Sequence, residues 1–113
     1  MDKKLLTKKI EKFIAIREEE IEEKIVDVNN LSFINLRDSI IGLGTILDED
    51  FGTQSYVVNV PSGIANRNSA VVVVQLYENQ LFLLGYAKEG IINQHTTSKA
   101  IEKLLNRVSS FIK

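Results

Sequence analysis

Residues 70–87 read AVVVVQLYENQLFLLGYA, two runs of valine, leucine and aromatic residues joined at Glu78-Asn79. Such runs favour strands, and asparagine is among the few residues that tolerate the positive φ of a tight hairpin. The stretch therefore predicts two antiparallel strands, Ala70–Tyr77 and Gln80–Ala87. A sheet with one wet face alternates apolar with polar residues; these runs do not. Val71, Val72, Val73 and Val74 run together, as do Leu81, Phe82, Leu83 and Leu84. Apolar side chains thus fall on both faces, and both faces need a cover. Either each face takes one helix, or both helices share a face and the other buries against a second protein.

Upstream of the hairpin, Ser55–Val60 (SYVVNV) reads as a third strand and Ser39–Leu47 (SIIGLGTIL) as a fourth, because Gly42 and Gly44 argue against a helix there. Asp48–Thr53 (DEDFGT) is a polar connection, and Pro61–Asn68 (PSGIANRN) is a loop dense in turn formers. Leu31–Arg37 (LSFINLR) fits a short strand, a turn or part of a helix. Downstream, Gly90–Thr96 leads to a closing helix, Thr97–Ile112, with Thr96, Thr97 or Ser98 as its N-cap. The apolar stripe of that helix is Ile101, Leu104, Leu105, Val108 and Phe111 or Ile112.

At the amino terminus Leu6, Ile10, Ile14, Arg17, Ile21, Ile25 and Val28 recur at helical spacing. They predict a helix from about Asp2 to Asp27, roughly 39 Å long, which would overhang strands of roughly 23 Å. Its charges are inverted. Lys3, Lys4, Lys8, Lys9 and Lys12 stand against Asp2 and Glu11 in residues 1–13, a net of +3. Residues 14–30 carry Arg17 and Lys24 against Glu18, Glu19, Glu20, Glu22, Glu23 and Asp27, a net of −4. A helix macrodipole prefers the opposite arrangement, and like charges four apart (Lys4/Lys8, Glu18/Glu22, Glu19/Glu23) weaken an isolated helix further. The segment is expected to need a complementary surface, such as a second copy laid antiparallel or the closing helix. Leu5 and Ile16 lie off the stripe and suggest a second contact. Arg17, within it, reads as a snorkelling arginine bonded to Glu20 or as an interface residue.

The order is α-β-β-β-β-α: one α+β domain over residues 1–113, with a long N-terminal helix, a four-stranded antiparallel meander and a C-terminal helix. This architecture resembles that of small dimeric secretion chaperones and other adaptor proteins, a likeness of fold that does not fix a function. At 44% hydrophobic and 26% charged residues, the chain can fill a core. A net charge of −1 removes the simplest case for nucleic acid, despite Lys99, Lys103, Arg107 and Lys113 near the end. The absence of cysteine excludes disulfides and thiolate chemistry. No stretch reaches membrane-spanning length, and a cytoplasmic protein is expected.

Chemistry is sparse. His95, the single histidine, would need a nucleophile and an orienting acid to act as a base, and the hydroxyls beside it read better as caps. Asp48, Glu49 and Asp50 offer oxygen ligands for a hard cation but read as a solvated turn. The loop around Ser62-Gly63 and Asn66-Arg67-Asn68 is the best surface for recognition, without phosphate-loop spacing. Tyr56, Tyr77 and Tyr86 could gather into an aromatic site or simply sit in strands. No catalytic, cofactor-binding or metal-ligating residue is expected. The candidate interaction residues are Arg17, Asn66, Arg67, Asn68, Leu5 and Ile16. The function expected is that of a non-enzymatic protein-interaction module or subunit, a homodimer of adaptor or chaperone type. The alternative is a small-molecule binder or enzyme with a pocket between sheet and helices and His95 or Arg67 at its mouth.

Overall fold

The computed structural model describes residues 1–113. The predicted hairpin is present as strands β4 (Asn68–Tyr77) and β5 (Gln80–Tyr86), paired antiparallel with Val73 opposite Leu84. Glu78 and Asn79 both take positive φ, 46° and 63°. Strands β3 (Ser55–Ser62) and β2 (Thr45–Asp50) follow on one side of β4. On the other side lies β1 (Glu22–Asp27), antiparallel to β5 with Ile25 opposite Phe82. The sheet has five strands in the order β1-β5-β4-β3-β2. Helices α1 (Lys3–Glu11), α2 (Phe33–Ile40) and α3 (Thr96–Arg107) complete an α+β fold.

The long amino-terminal helix is not there. Asp2 caps α1 by accepting from Leu5 N–H at 3.0 Å, and α1 ends at Glu11 after nine residues. A 3-10 turn, Glu18–Glu20, and then β1 occupy the rest of the predicted helix. The physical reason lies in the charges already noted: the glutamates repel at helical spacing, while Ile21, Ile25, Val26 and Val28 are β-branched and suit a strand. Pairing with β5 gives that segment hydrogen bonds that a strained helix would make less well.

The region before β2 also differs from expectation. Leu31–Arg37 enters α2, whose N-cap Ser32 accepts from Asn35 N–H at 3.0 Å. Ser39 and Ile40 are helical rather than extended. The glycines do break the helix, but they end it instead of sitting in a strand. Gly44 brings the chain onto β3 so closely that a Cβ would run into the Asn59 carbonyl. Asp48, Glu49 and Asp50 belong to β2, and the turn is Phe51–Gln54. At the far end α3 stops at Arg107, a 3-10 turn (Ser109–Phe111) follows, and Ile112 bridges to Val28.

Both sheet faces are covered within one chain. On one, α2 and α3 set Phe33, Leu36, Ile40, Ala100, Ile101 and Leu104 against Tyr56, Val58, Val60, Val72, Val74, Leu81 and Leu83. On the other, Leu6 and Ile10 of α1 meet Val57, Val71, Val73, Phe82, Leu84 and Tyr86. Ile14, Ile16 and Ile21 extend that second layer along the returning chain. Each edge strand is also guarded. The β1 edge carries Glu22, Glu23, Lys24 and Asp27, and β2 has a bulge between Ile46 and Asp48 beside three acids; charge and bulges both discourage a further strand. No helix is long and apolar enough to cross a membrane.

Candidate functional site

β5 leaves the sheet at Tyr86, and the chain must turn over the sheet end to start α3 at Thr96. The turn is fixed by polar side chains. Glu89 accepts from Thr96 N–H at 2.9 Å and from Gln94 N–H at 3.3 Å, satisfying amides that a helix start leaves free. Burial works against the Glu89 charge, but the hydrogen bonds from Thr96, Gln94 and Asn68 outweigh it and hold the carboxyl below its ordinary value. Asn68 Nδ2 donates to Lys88 O (3.1 Å) and Thr96 Oγ1 (3.2 Å), and Gln94 Oε1 accepts from Ile64 N–H (2.9 Å). Asn93 Oδ1 accepts from His95 N–H at 2.8 Å. The helix cap is therefore His95, left-handed at φ 54° and without a side-chain cap bond, not Thr96, Thr97 or Ser98.

Between these anchors the loop holds two isoleucines out in water. Ile91 is fully exposed and Ile92 is 71% exposed. Ile91, but not Ile92, lines a cleft of about 440 Å³ whose other walls include Ala87, Thr97 and four glutamates, Glu19, Glu20, Glu22 and Glu89. Tyr86 OH donates to Glu20 at 3.4 Å and Ser98 Oγ to Glu22 at 2.7 Å, which orients two of the four acids. Thr97 is only 6% exposed. A methyl added at Gly85 would lie 2.9 Å from Thr97 Cγ2, so the Thr97 methyl packs on the sheet. The site suits a cation with an apolar neighbour. No three acids or imidazoles converge here to hold a metal ion, and the His95 side chain is exposed and makes no hydrogen bond.

A second concavity, of about 710 Å³, lies across the 3-10 turn from the first. One wall is α1, with Lys3, Lys4, Thr7, Lys8 and Glu11; the other is Glu18, Glu19 and Ile21. Lys3 pairs with Glu23 at 3.5 Å. Lys4, Lys8, Glu18 and Glu19 make no ion pair within the chain.

The residues singled out from sequence do not form one site. Leu5, Ile16 and Arg17 lie on the α1 side. Ile16 is core-packed, Leu5 half-buried, and Arg17 is exposed with its guanidinium 3.9 Å from Glu20, away from the core it was expected to snorkel over. Asn66, Arg67 and Asn68 sit at the β3–β4 connection. Asn66 accepts from Lys103 Nζ, Asn68 latches the 88–96 turn, and Arg67 is exposed. The tyrosines are equally dispersed: Tyr56 and Tyr86 belong to opposite core layers and Tyr77 is exposed. The acidic run 48–50 serves structure, through Lys9–Asp50 and Arg37–Glu49 pairs. Sequence reasoning missed Ile91 and Ile92; the available signal was an apolar pair with no periodicity in an otherwise polar linker. No protein-family model, curated protein or solved structure matches this chain.

Proposed function

We propose that this chain is a non-enzymatic protein-interaction module, homodimeric and of adaptor or chaperone type, that takes a partner segment in the acidic cleft lined by Ile91, with the exposed Ile92 next to it in the same loop. The long N-terminal helix and the uncovered sheet face that first suggested assembly are absent, since α1 ends at Glu11 and both faces are covered internally. The reading rests instead on one observation: two adjacent isoleucines held in water by a loop pinned at both ends. Burying one such side chain yields about 1.5–3 kcal/mol, so a partner that covers both gains an anchor at little ordering cost. The four carboxylates define its chemistry, a protein segment that sets lysine or arginine beside an apolar residue.

Fluorescence anisotropy with a labelled peptide of alternating lysine and leucine tests this. The wild-type chain is expected to bind it, and the Ile91→Ser/Ile92→Ser double variant to bind at least tenfold more weakly. Equal binding by the two chains, or none by wild type at low salt, would refute the reading.

A further inference from the structure

The groove between α1 and the Glu18–Glu20 turn has walls of opposite sign. Lys4 and Lys8 line one and Glu18 and Glu19 the other. All four are exposed, and the four ion pairs inside the chain use other residues. The two walls do not pair with each other across the groove, so each remains open to a partner.

We infer that the groove is where two copies of this chain meet. The inference rests on the homodimeric reading above and names its interface. A surface with adjacent basic and acidic walls complements itself. Under a two-fold axis the lysine wall of each copy faces the glutamate wall of the other, and every pair forms twice. A unipolar partner, whether nucleic acid or an acidic protein, would satisfy one wall and be repelled by its neighbour. The half-buried Ile21, which lines the groove, supplies apolar contact that charge alone does not. Exposed ion pairs each contribute little, so the dimer is expected to be weak and salt-sensitive. Charge decides its orientation.

The test uses sedimentation velocity on three proteins: wild type, Lys4→Glu/Lys8→Glu, and Glu18→Lys/Glu19→Lys. Circular dichroism confirms that each is folded, as exposed positions allow. Wild type is expected to dimerise at low salt and to dissociate at about 1 M salt, where charges are screened beyond about 3 Å. Each variant alone is expected to lose at least tenfold in dimer affinity, since like walls then meet. Mixed in equal amounts, they are expected to form a heterodimer at near wild-type affinity, because the reversed wall of each then meets a wall of opposite sign on the other. A wild-type dimer indifferent to both reversals overturns the groove and leaves homodimerisation standing. Loss without recovery on mixing also overturns the groove. A wild-type monomer at every salt overturns the inference together with the homodimeric reading.

Discussion

Lys9 is the one lysine of residues 1–13 that is buried, and Asp50 is the reason it can be. Its ammonium, with a side chain 8% exposed, donates to Asp50 Oδ2 at 2.8 Å. The same carboxylate accepts from Thr53 N–H at 3.2 Å. The Lys9 hydrogen bond first, then those from Thr53, lower the Asp50 pKa from 3.8 to about 2. The sign of the pH effect follows from that direction. Above 3.8 both folded and unfolded chains carry the charge and the stabilisation is complete. Between 3.8 and about 2 the unfolded chain takes up a proton that the folded one refuses, so stability falls as pH falls. Glu89, also held low, acts in the same direction. Chemical denaturation at stepped pH should show a decline starting below about pH 5, and Asp50→Asn should flatten its lowest portion. At neutral pH Asp50→Asn should destabilise more than Lys9→Met, since only the former strands a buried charge. Ser62 is the converse. It is fully buried and its Oγ has no hydrogen-bond partner, a state that costs about 1–3 kcal/mol. Ser62→Ala should raise stability by about 1 kcal/mol in urea unfolding; a loss of that size would mean the hydroxyl is bonded after all. Tyr56, raised to about 12 chiefly by burial and then by the Glu49 charge, stays protonated and donates to Phe33 O at 2.7 Å.

At the level of elements, the β4–β5 hairpin shows what local sequence carries well. Long apolar runs and an asparagine at the turn left little freedom in where the strands begin and end. The same turn contains a misfit. Glu78 sits at φ 46°, a conformation that costs most side chains roughly 1–2 kcal/mol but suits asparagine. Glu78→Asn is expected to raise the midpoint of thermal unfolding by a few degrees without altering the fold; an unchanged or lower midpoint would show that the strain is absent. The segment 12–27 was illegible for a definite reason. β1 is an edge strand with one half-buried residue, Val26, so it bears almost no period-two pattern. Meanwhile Leu6, Ile10, Ile14, Ile21 and Ile25 fit a helical period by serving three different structures. What decides between them is the unpaired edge of β5, more than fifty residues further along the chain and invisible to any local window. From sequence, Glu19, Glu20 and Glu22 of the cleft read only as the acidic half of a helix, not as a site. Ile91 and Ile92 went unread because exposure depends on the pinning of their loop, locally by Glu89 and at long range by Asn68 and by Gln94.

For the molecule as a whole, inverted charge that made a poor helix makes sense as surface. Broken at Glu11 and turned back on itself, the chain lays its basic stretch along one wall and its acidic stretch along another, with the cleft beyond. The two apolar faces of the sheet are filled by α1 and its return on one side and by α2 and α3 on the other. On the reading proposed above, a partner would dock at the end of the sheet and not on either of its faces. The most direct measurement is amide chemical-shift mapping of the isotope-labelled chain during titration with the lysine–leucine peptide. The account expects the largest shifts in residues 19–22 and 89–97. Shifts centred instead on α2 and the 51–54 turn, or spread evenly over the surface, would contradict it.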